Sequence, residues 1–292
     1  MKIFITGSEG FIGRELISQC QKQGIEVVGV DSKKGSRPNF YQADIRSKNI
    51  VELIPEGVDA VIHLAALSSD TDCKDRASEC FDINVMGTLN LIETAEKKKV
   101  KQFIFASSEW VYDNCSKDEI KNEESFINVL NHNSEYALSK IVSEVNLRQK
   151  YQHGFCPVTI LRFGIIYGQR LDGWSAVESL FYAVKSKDEV RVGSLKTGRC
   201  FIHVSDIASG IIKSIGLTGF NIINLAGNRL ITLGEMIETS QKILRKNPKI
   251  IETDSTNASI RNISNEKAKE LLNWRPEIDL TAGLNKLNHF FK

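Results

Sequence analysis

A strand-sized apolar run, Ile3-Phe4-Ile5, leads directly into Thr6-Gly7-Ser8-Glu9-Gly10-Phe11-Ile12-Gly13. A helix-patterned stretch, Arg14 to Cys20, follows and sets Leu16, Ile17 and Cys20 on one face. Strand, glycine turn and helix together constrain the fold more than any other feature of the chain. Gly7 permits a tight turn, Gly10 a close backbone approach to a pyrophosphate, and Gly13 close packing of helix on strand. The helix N-terminus then offers free N–H groups and partial positive charge to phosphates. The spacing, G-x-x-G-x-x-G, is one residue wider than the G-x-G-x-x-G dinucleotide fingerprint. Alone, the pattern also fits an ordinary glycine turn.

The next apolar run, Glu26 to Val30, ends at Asp31. A carboxylate about 20 residues past the glycines, at the tip of a second strand, suits an acceptor for ribose hydroxyls. It would repel a 2′-phosphate, which favours NAD over NADP. Lys33, Lys34 and Arg37 follow closely and work against that preference. Without the glycines, Asp31 would read as a turn cap.

The chain has 292 residues, a net charge of +2 and 25% charged residues, as in ordinary globular proteins. No block of like charge is long enough to suggest nucleic acid or a membrane surface; Lys97-Lys98-Lys99 reads as a solvated helix end. No apolar run reaches transmembrane length, and the N-terminus lacks a signal-peptide layout. The six cysteines, at 20, 73, 80, 115, 156 and 200, show no metal-type pairing. No metal site is expected, and reduced thiols in a cytoplasmic protein are the simplest account.

Further along, Phe40 to Ala43 ends at Asp44-Ile45, Ser47 to Ile54 is a weak helix, and Asp59 to Ala66 reads as a strand. His63 inside that strand reads as a structural core histidine. A helix is expected from Asn84 to Lys98, a strand from Gln102 to Ala106 ending at Ser107-Ser108, and a long polar loop over 113–133. A helix from Ser134 sets Tyr136, Lys140 and Glu144 on one side, and Val158 to Phe163 forms the next strand. This alternation predicts a doubly wound parallel α/β sheet of the Rossmann type. Ligands in such sheets sit beyond the carboxyl ends of the strands, where Asp31, Asp44, Ala65-Ala66 and Ser107-Ser108 fall. Past residue 164 the pattern loosens. A helix capped by Ser205 or Asp206, a strand over Phe220–Leu225, a helix over Thr232–Arg245, a strand over Lys249–Glu252 and a helix over Asn265–Leu272 suggest a smaller α+β lobe. The expected division is a cofactor domain of residues 1–164 with 199–227, and a substrate lobe of 165–198 with 228–292.

Tyr136 and Lys140 carry the candidate chemistry. A phenol is a poor base at neutral pH, but an adjacent ammonium and a positive nicotinamide ring favour the phenolate, so its pKa is expected to fall. The Ser108 hydroxyl would orient the same substrate oxygen. By itself, Y-x-x-x-K also fits an ordinary exposed helix pair.

The residues Thr6 to Gly13, Asp44-Ile45, His63 to Ala66, Asn84 to Thr88, Ser107 to Tyr112, Tyr136 to Lys140, Leu161 to Gly168 and Arg199 to Asp206 stand in order along nearly the whole chain. As a set they resemble the extended short-chain dehydrogenase/reductase family, in its nucleotide-sugar epimerase/dehydratase branch. The resemblance implies NAD as cofactor. Gly7, Gly10, Phe11 and Ile12 would hold the pyrophosphate, Asp31 the adenosine ribose, and Asp44 and Ile45 the adenine. Leu64, Ala65 and Ala66 would line the cofactor, with Phe163 near its nicotinamide end and Tyr136 and Lys140 also touching it. Ser108, Tyr136 and Lys140 would be catalytic. Ser108 and Glu109 would face the sugar, Arg199 and Arg261 its diphosphate, and Asn84 would be a structural or cofactor-shell residue. Bidentate guanidinium donors suit phosphates, although solvated surface charge is the alternative.

Two departures matter. Ile165 stands where relatives that grip the diphosphate often carry Asn. Glu109-Trp110 stands where the 4,6-dehydratases carry an Asp-Glu pair, which argues against dehydration. The expected activity is an NAD-dependent 4-epimerase of a nucleotide-activated sugar working through a 4-keto intermediate, with a dehydrogenase/reductase or a 4,6-dehydratase as alternatives. A non-catalytic NAD sensor or scaffold is the other class, and the intact Ser-Tyr-Lys trio argues against it. The resemblance also implies a homodimer, through helices around 85–98 and 135–150.

Overall fold

The computed structural model describes residues 1–291. Chain contacts divide it into two compact units, residues 1–113, 126–162 and 208–223 in the first and 114–125, 163–207 and 224–292 in the second. Segments 114–125 and 199–207 thus fall in the second unit.

The first unit is built on strands β1 (Lys2–Thr6), β2 (Glu26–Asp31), β3 (Phe40–Gln42), β4 (Ala60–His63), β5 (Phe103–Ser108) and β6 (Val158–Phe163). With the strand Phe220–Leu225 they form one seven-stranded sheet, ordered 220–225, β6, β5, β4, β1, β2, β3. β1 runs parallel to both β2 and β4, pairing Ile5 with Gly29 and Ile62, and β4 runs parallel to β5. The order reverses beside β1, the doubly wound arrangement that the alternation predicts. Ile3, Phe4 and Ile5 are fully buried, so β1 is covered on both faces. That is why it reads as a continuous apolar run and not an alternating one. Phe4, Val61, Leu91, Phe103 and Ile160 share one core, and each such side chain contributes about 1.5–3 kcal/mol on burial.

The first-unit helices include α1 (Phe11–Lys22), α2 (Ile50–Leu53), α3 (Asp70–Cys73), α4 (Ala77–Phe81), α5 (Gly87–Lys97) and α6 (Glu135–Gln152). The helix expected from Asn84 begins instead with a π-helical turn, Asp82–Met86, before α5. Two hydroxyls claim the Asn84 carbonyl, Thr88 Oγ1 at 2.6 Å and Ser143 Oγ at 3.1 Å. Ser134 caps α6 by accepting from the Ala137 N–H at 3.2 Å.

In the second unit, strands Gly198–Arg199 and Ile260–Arg261 pair in parallel, and Ile231–Thr232 joins the first antiparallel. The expected strand Lys249–Glu252 pairs with Glu189–Val192. The helix expected to be capped by Ser205 or Asp206 starts at Val204, so both residues lie in its first turn. Two helices absent from the sequence reading, Ala176–Ser186 and Leu280–Phe290, bury Phe181, Leu284 and Leu287 in this unit's core.

Candidate active site

The glycine turn shows its purpose in its contacts. Gly7 has φ of +71°, and a Cβ there would come within 2.8 Å of the Ala65 nitrogen. At Gly13 a Cβ would come within 2.3 Å of the Gly7 carbonyl oxygen. These positions exclude any side chain and draw the turn, the end of β4 and the start of α1 together. Gly10 stands at the N-cap of α1, where no side chain caps the helix and no acidic residue occupies the first turn. The N-terminus of α1 thus carries no side chain that would compete with an anion for its positive end.

Asp31 is 8% exposed, and its two carboxylate oxygens accept from the Glu9 and Lys33 N–H groups at 2.9 Å each. Each oxygen keeps a further lone pair for a ribose hydroxyl. Asp44 is instead clasped by Arg46, whose Nε lies 3.0 and 3.1 Å from its two oxygens. The guanidinium holds the Asp44 carboxyl below its ordinary pKa. Ile45 packs in the core against Gly87, and its carbonyl accepts from Asn90 Nδ2 at 2.7 Å. Past β4, the Leu64 N–H donates to the Thr6 carbonyl and the Ala65 N–H to Thr6 Oγ1, both at 3.2 Å, and Ala66 follows. The cradle and donor set of this unit fit a dinucleotide.

His63 is the structural residue expected. Its Nδ1 lies 2.8 Å from Thr6 Oγ1 and its Nε2 2.9 Å from Thr88 Oγ1. The Thr88 hydroxyl donates to the Asn84 carbonyl, so His63 donates from Nε2 and accepts at Nδ1. Burial pushes its pKa down to about 3, keeping the ring neutral.

Ser108 ends β5, and Tyr136 and Lys140 stand one turn apart on α6, all three buried. The Ser108 hydroxyl faces the Tyr136 phenol and favours its ionised form. Lys140 Nζ donates to the Ala106 carbonyl at 2.8 Å and lies 5.8 Å from the centre of the Tyr136 ring. The expected fall in the phenol's pKa does not occur in the protein alone. Burial pushes Tyr136 up to about 12, and the Ser108 hydroxyl offsets only part of this. Burial also lowers Lys140 to about 8. The ammonium is itself desolvated, so it does not override the burial of the phenol.

Glu109, fully buried, opens the turn Glu109–Val111, which Ser108 caps through the Trp110 N–H at 3.3 Å. Asn84 fastens three segments. Its side chain accepts from the Leu67 N–H at 2.8 Å and donates to the Leu67 carbonyl and Ser139 Oγ at 3.0 Å each. Phe163 ends β6 and is buried. In the second unit, Arg199 and Arg261 are register partners on adjacent strands. Arg199 binds the Ser259 carbonyl at 2.6 Å and Ser259 Oγ at 2.8 Å.

Sequence reasoning missed two clusters. Glu144 accepts from Ser107 Oγ at 2.5 Å and from Arg162 Nε and Nη2 at 3.0 and 2.6 Å, while Arg162 Nη1 donates to Tyr112 Oη at 2.9 Å. This buried pair locks α6 against β5 and β6; an arginine inside an apolar strand was its available signal. Cys73 and Cys80, both free thiols with Sγ atoms 2.6 Å apart, pack with Tyr136.

The profile of the NAD dependent epimerase/dehydratase family matches residues 3–226, most of the chain. The chain belongs to that family. NAD is the cofactor of this enzyme family, and the family's fold is the one described above. A curated relative, UDP-glucuronate 4-epimerase of Thermodesulfobacterium geofontis, is 28% identical over 99% of this chain and 95% of its own length. The dTDP-4-dehydro-6-deoxyglucose reductase of Escherichia coli is 28% identical over 98% of this chain and 96% of its own. The solved NAD complex of Thermus thermophilus UDP-glucose 4-epimerase superposes with a TM-score of 0.87 at 25% identity, covering 100% of this chain and 99% of that one. Among the described residues, no helix is long and apolar enough to cross a membrane, and no cluster of three or more His, Cys, Asp or Glu could hold a metal ion.

Proposed function

We propose that this family member is a 4-epimerase of a UDP-sugar, with UDP-glucuronate the first candidate substrate. The observation that carries the reading is the buried Ser108–Tyr136–Lys140 constellation, in the same unit as the glycine turn and Asp31. Tyr136 would take the proton of the sugar C4 hydroxyl and later return it. Ser108, beside the phenol, would hold that oxygen in line. Lys140, fixed by the Ala106 carbonyl, would keep positive charge near the phenolate. Bound NAD supplies the hydride acceptor, and its positive ring is the charge that the phenol, near 12 in the protein alone, still requires. Gly7, Gly10, Phe11 and Ile12 are the proposed pyrophosphate ligands and Asp31 the ribose ligand. Asp44, Ile45, Leu64, Ala65, Ala66 and Phe163 would line the rest of the cofactor. Arg199 and Arg261 are the proposed diphosphate ligands, with Glu109 toward the sugar. Residues 1–164 with 199–227 would serve the cofactor and 165–198 with 228–292 the sugar.

Glu109 and Trp110 in place of paired carboxylates argue for epimerisation over dehydration. A reductase remains the second reading, favoured by the Escherichia coli relative. The test is incubation with UDP-glucuronate and a panel of UDP-, dTDP- and GDP-sugars, read by NMR and by absorbance of NADH. A C4 epimer without net NADH supports the proposal. A 4-keto sugar with NADH accumulating makes the protein a dehydrogenase, and no turnover of any sugar refutes the enzymatic reading. A 4-keto uronic acid is a β-keto acid, so release of carbon dioxide would instead indicate a decarboxylase.

We infer a homodimer as well. Met86, Val142 and Val145, on the π-helical turn before α5 and on α6, are 55%, 36% and 63% exposed, an apolar face that a second copy would cover. A cytoplasmic location would keep the six free thiols reduced.

A further inference from the structure

The glycine turn carries an acidic side chain at a position where only backbone is needed. Glu9 lies between Ser8 and Gly10, yet its carboxylate is almost wholly buried, at 7% side-chain exposure. Its backbone N–H donates to Asp31, which brings the two residues together at the end of β2. The loop after β2 folds over it. A Cβ on Gly35 would come within 2.9 Å of Glu9 Oε1, so the loop backbone packs directly on the carboxylate.

Two guanidinium groups face this carboxylate. Arg37 Nη1 lies 3.3 Å from Oε1 and 3.3 Å from the Ser8 carbonyl oxygen, and Arg14 Nε lies 3.4 Å from Oε2. Oε1 has an ion pair with Arg37 but no hydrogen bond of proper geometry, an incomplete shell for a buried carboxylate oxygen. Arg37 is one of three basic residues, with Lys33 and Lys34, that on sequence alone work against a preference for NAD, and an arginine past β2 suits a 2′-phosphate. In the folded protein that arginine is engaged by Glu9.

We propose that Glu9 is a second determinant of cofactor choice, acting with Asp31. Its carboxylate adds a negative charge beside the adenosine 2′ position and holds Arg37 away from a 2′-phosphate. The proposal rests on NAD as cofactor and adds this chain's own means of refusing NADP. A 2′-phosphate carries between one and two negative charges near neutral pH. Two carboxylates at its site therefore repel it, and one removed carboxylate releases a cation toward it. Interaction of unit charges across several ångströms in a partly buried site is enough for a discrimination of about tenfold or more per group.

The test is isothermal titration calorimetry of NAD and NADP with the full-length, cofactor-stripped protein. The wild type is compared with Glu9→Gln, Arg37→Ala and the double variant, with thermal melts as fold controls. Glu9→Gln keeps the side chain's volume. It is expected to strengthen NADP binding by about tenfold and change NAD binding only a few-fold. Adding Arg37→Ala should remove that gain. Arg37→Ala alone, with Glu9 in place, should leave NADP binding unchanged within about twofold, which keeps the idea falsifiable should Glu9→Gln fail to fold. Unchanged NADP affinity in folded Glu9→Gln, or NADP affinity lost in Arg37→Ala alone, would overturn the proposal. A wild type that binds neither dinucleotide would overturn the cofactor assignment itself, a distinct result.

Discussion

Lys140 is a stability burden on the fold. The side chain is 5% exposed, and burial lowers its pKa from the ordinary 10.5 to about 8. At ~1.36 kcal/mol per pH unit, that difference corresponds to about 3 kcal/mol of unfavourable charge burial at neutral pH. Lys140→Met keeps the length and apolar volume of the stem and removes the charge. It also removes the donor to the Ala106 carbonyl, a loss of about 1 kcal/mol. The variant should therefore be more stable than the wild type by about 2 kcal/mol at pH 7. The sign of the pH dependence follows from the same values. Between about 8 and 10.5 the unfolded lysine keeps its proton while the folded one releases it. The unfolded state then binds more protons, and wild-type stability rises with pH by up to ~1.36 kcal/mol per unit. The advantage of Lys140→Met should shrink across that window. Urea unfolding of cofactor-free protein by circular dichroism, from pH 7 to pH 10, measures it, and other titrating groups cancel in the difference. A Lys140→Met protein less stable than wild type at pH 7, or a stability difference flat with pH, refutes the reasoning.

Tyr136→Phe should lower turnover about 10³-fold and leave NAD affinity within a few-fold, checked by steady-state kinetics and calorimetry. Arg162→Ala strands the buried Glu144 carboxylate and should destabilise the first unit by about 3–5 kcal/mol in denaturant melts; a loss under 1 kcal/mol would mean that water reaches Glu144 freely. His63, neutral in the fold with a pKa near 3 against an ordinary 6.5, should make stability fall as pH drops below about 6.5. Here the unfolded state binds the extra proton. A His63→Gln protein should lack that slope between pH 6.5 and 5.

Legibility followed the range of the contacts. The glycine turn was readable because the spacing of Gly7, Gly10 and Gly13 is itself the geometry: a turn and a helix start within eight residues. Tyr136 and Lys140 were readable for the same reason, since positions four apart share a helix face. The helices Ala176–Ser186 and Leu280–Phe290 went unread, although each packs an apolar stripe, because the glycine breaks and short strands around the first and the tail position of the second obscured their period. The raised pKa of Tyr136 in the protein alone was not legible. An ammonium four residues away is visible in a sequence, whereas the burial that outweighs it is not.

The amino-acid order alone determined the strand–turn–helix unit, the strand ends around which the candidate site is built, and the candidate acid–base residues, because these follow from local backbone sterics and side-chain periodicity. Only the tertiary structure decided what each charged group faces. Glu144 meets Arg162 and Ser107 because the sheet sets β6 beside β5 under α6. Arg37 meets Glu9 because the loop after β2 closes over the glycine turn. Electrostatic energy depends on distance and on exclusion of water, and both are properties of the packed chain.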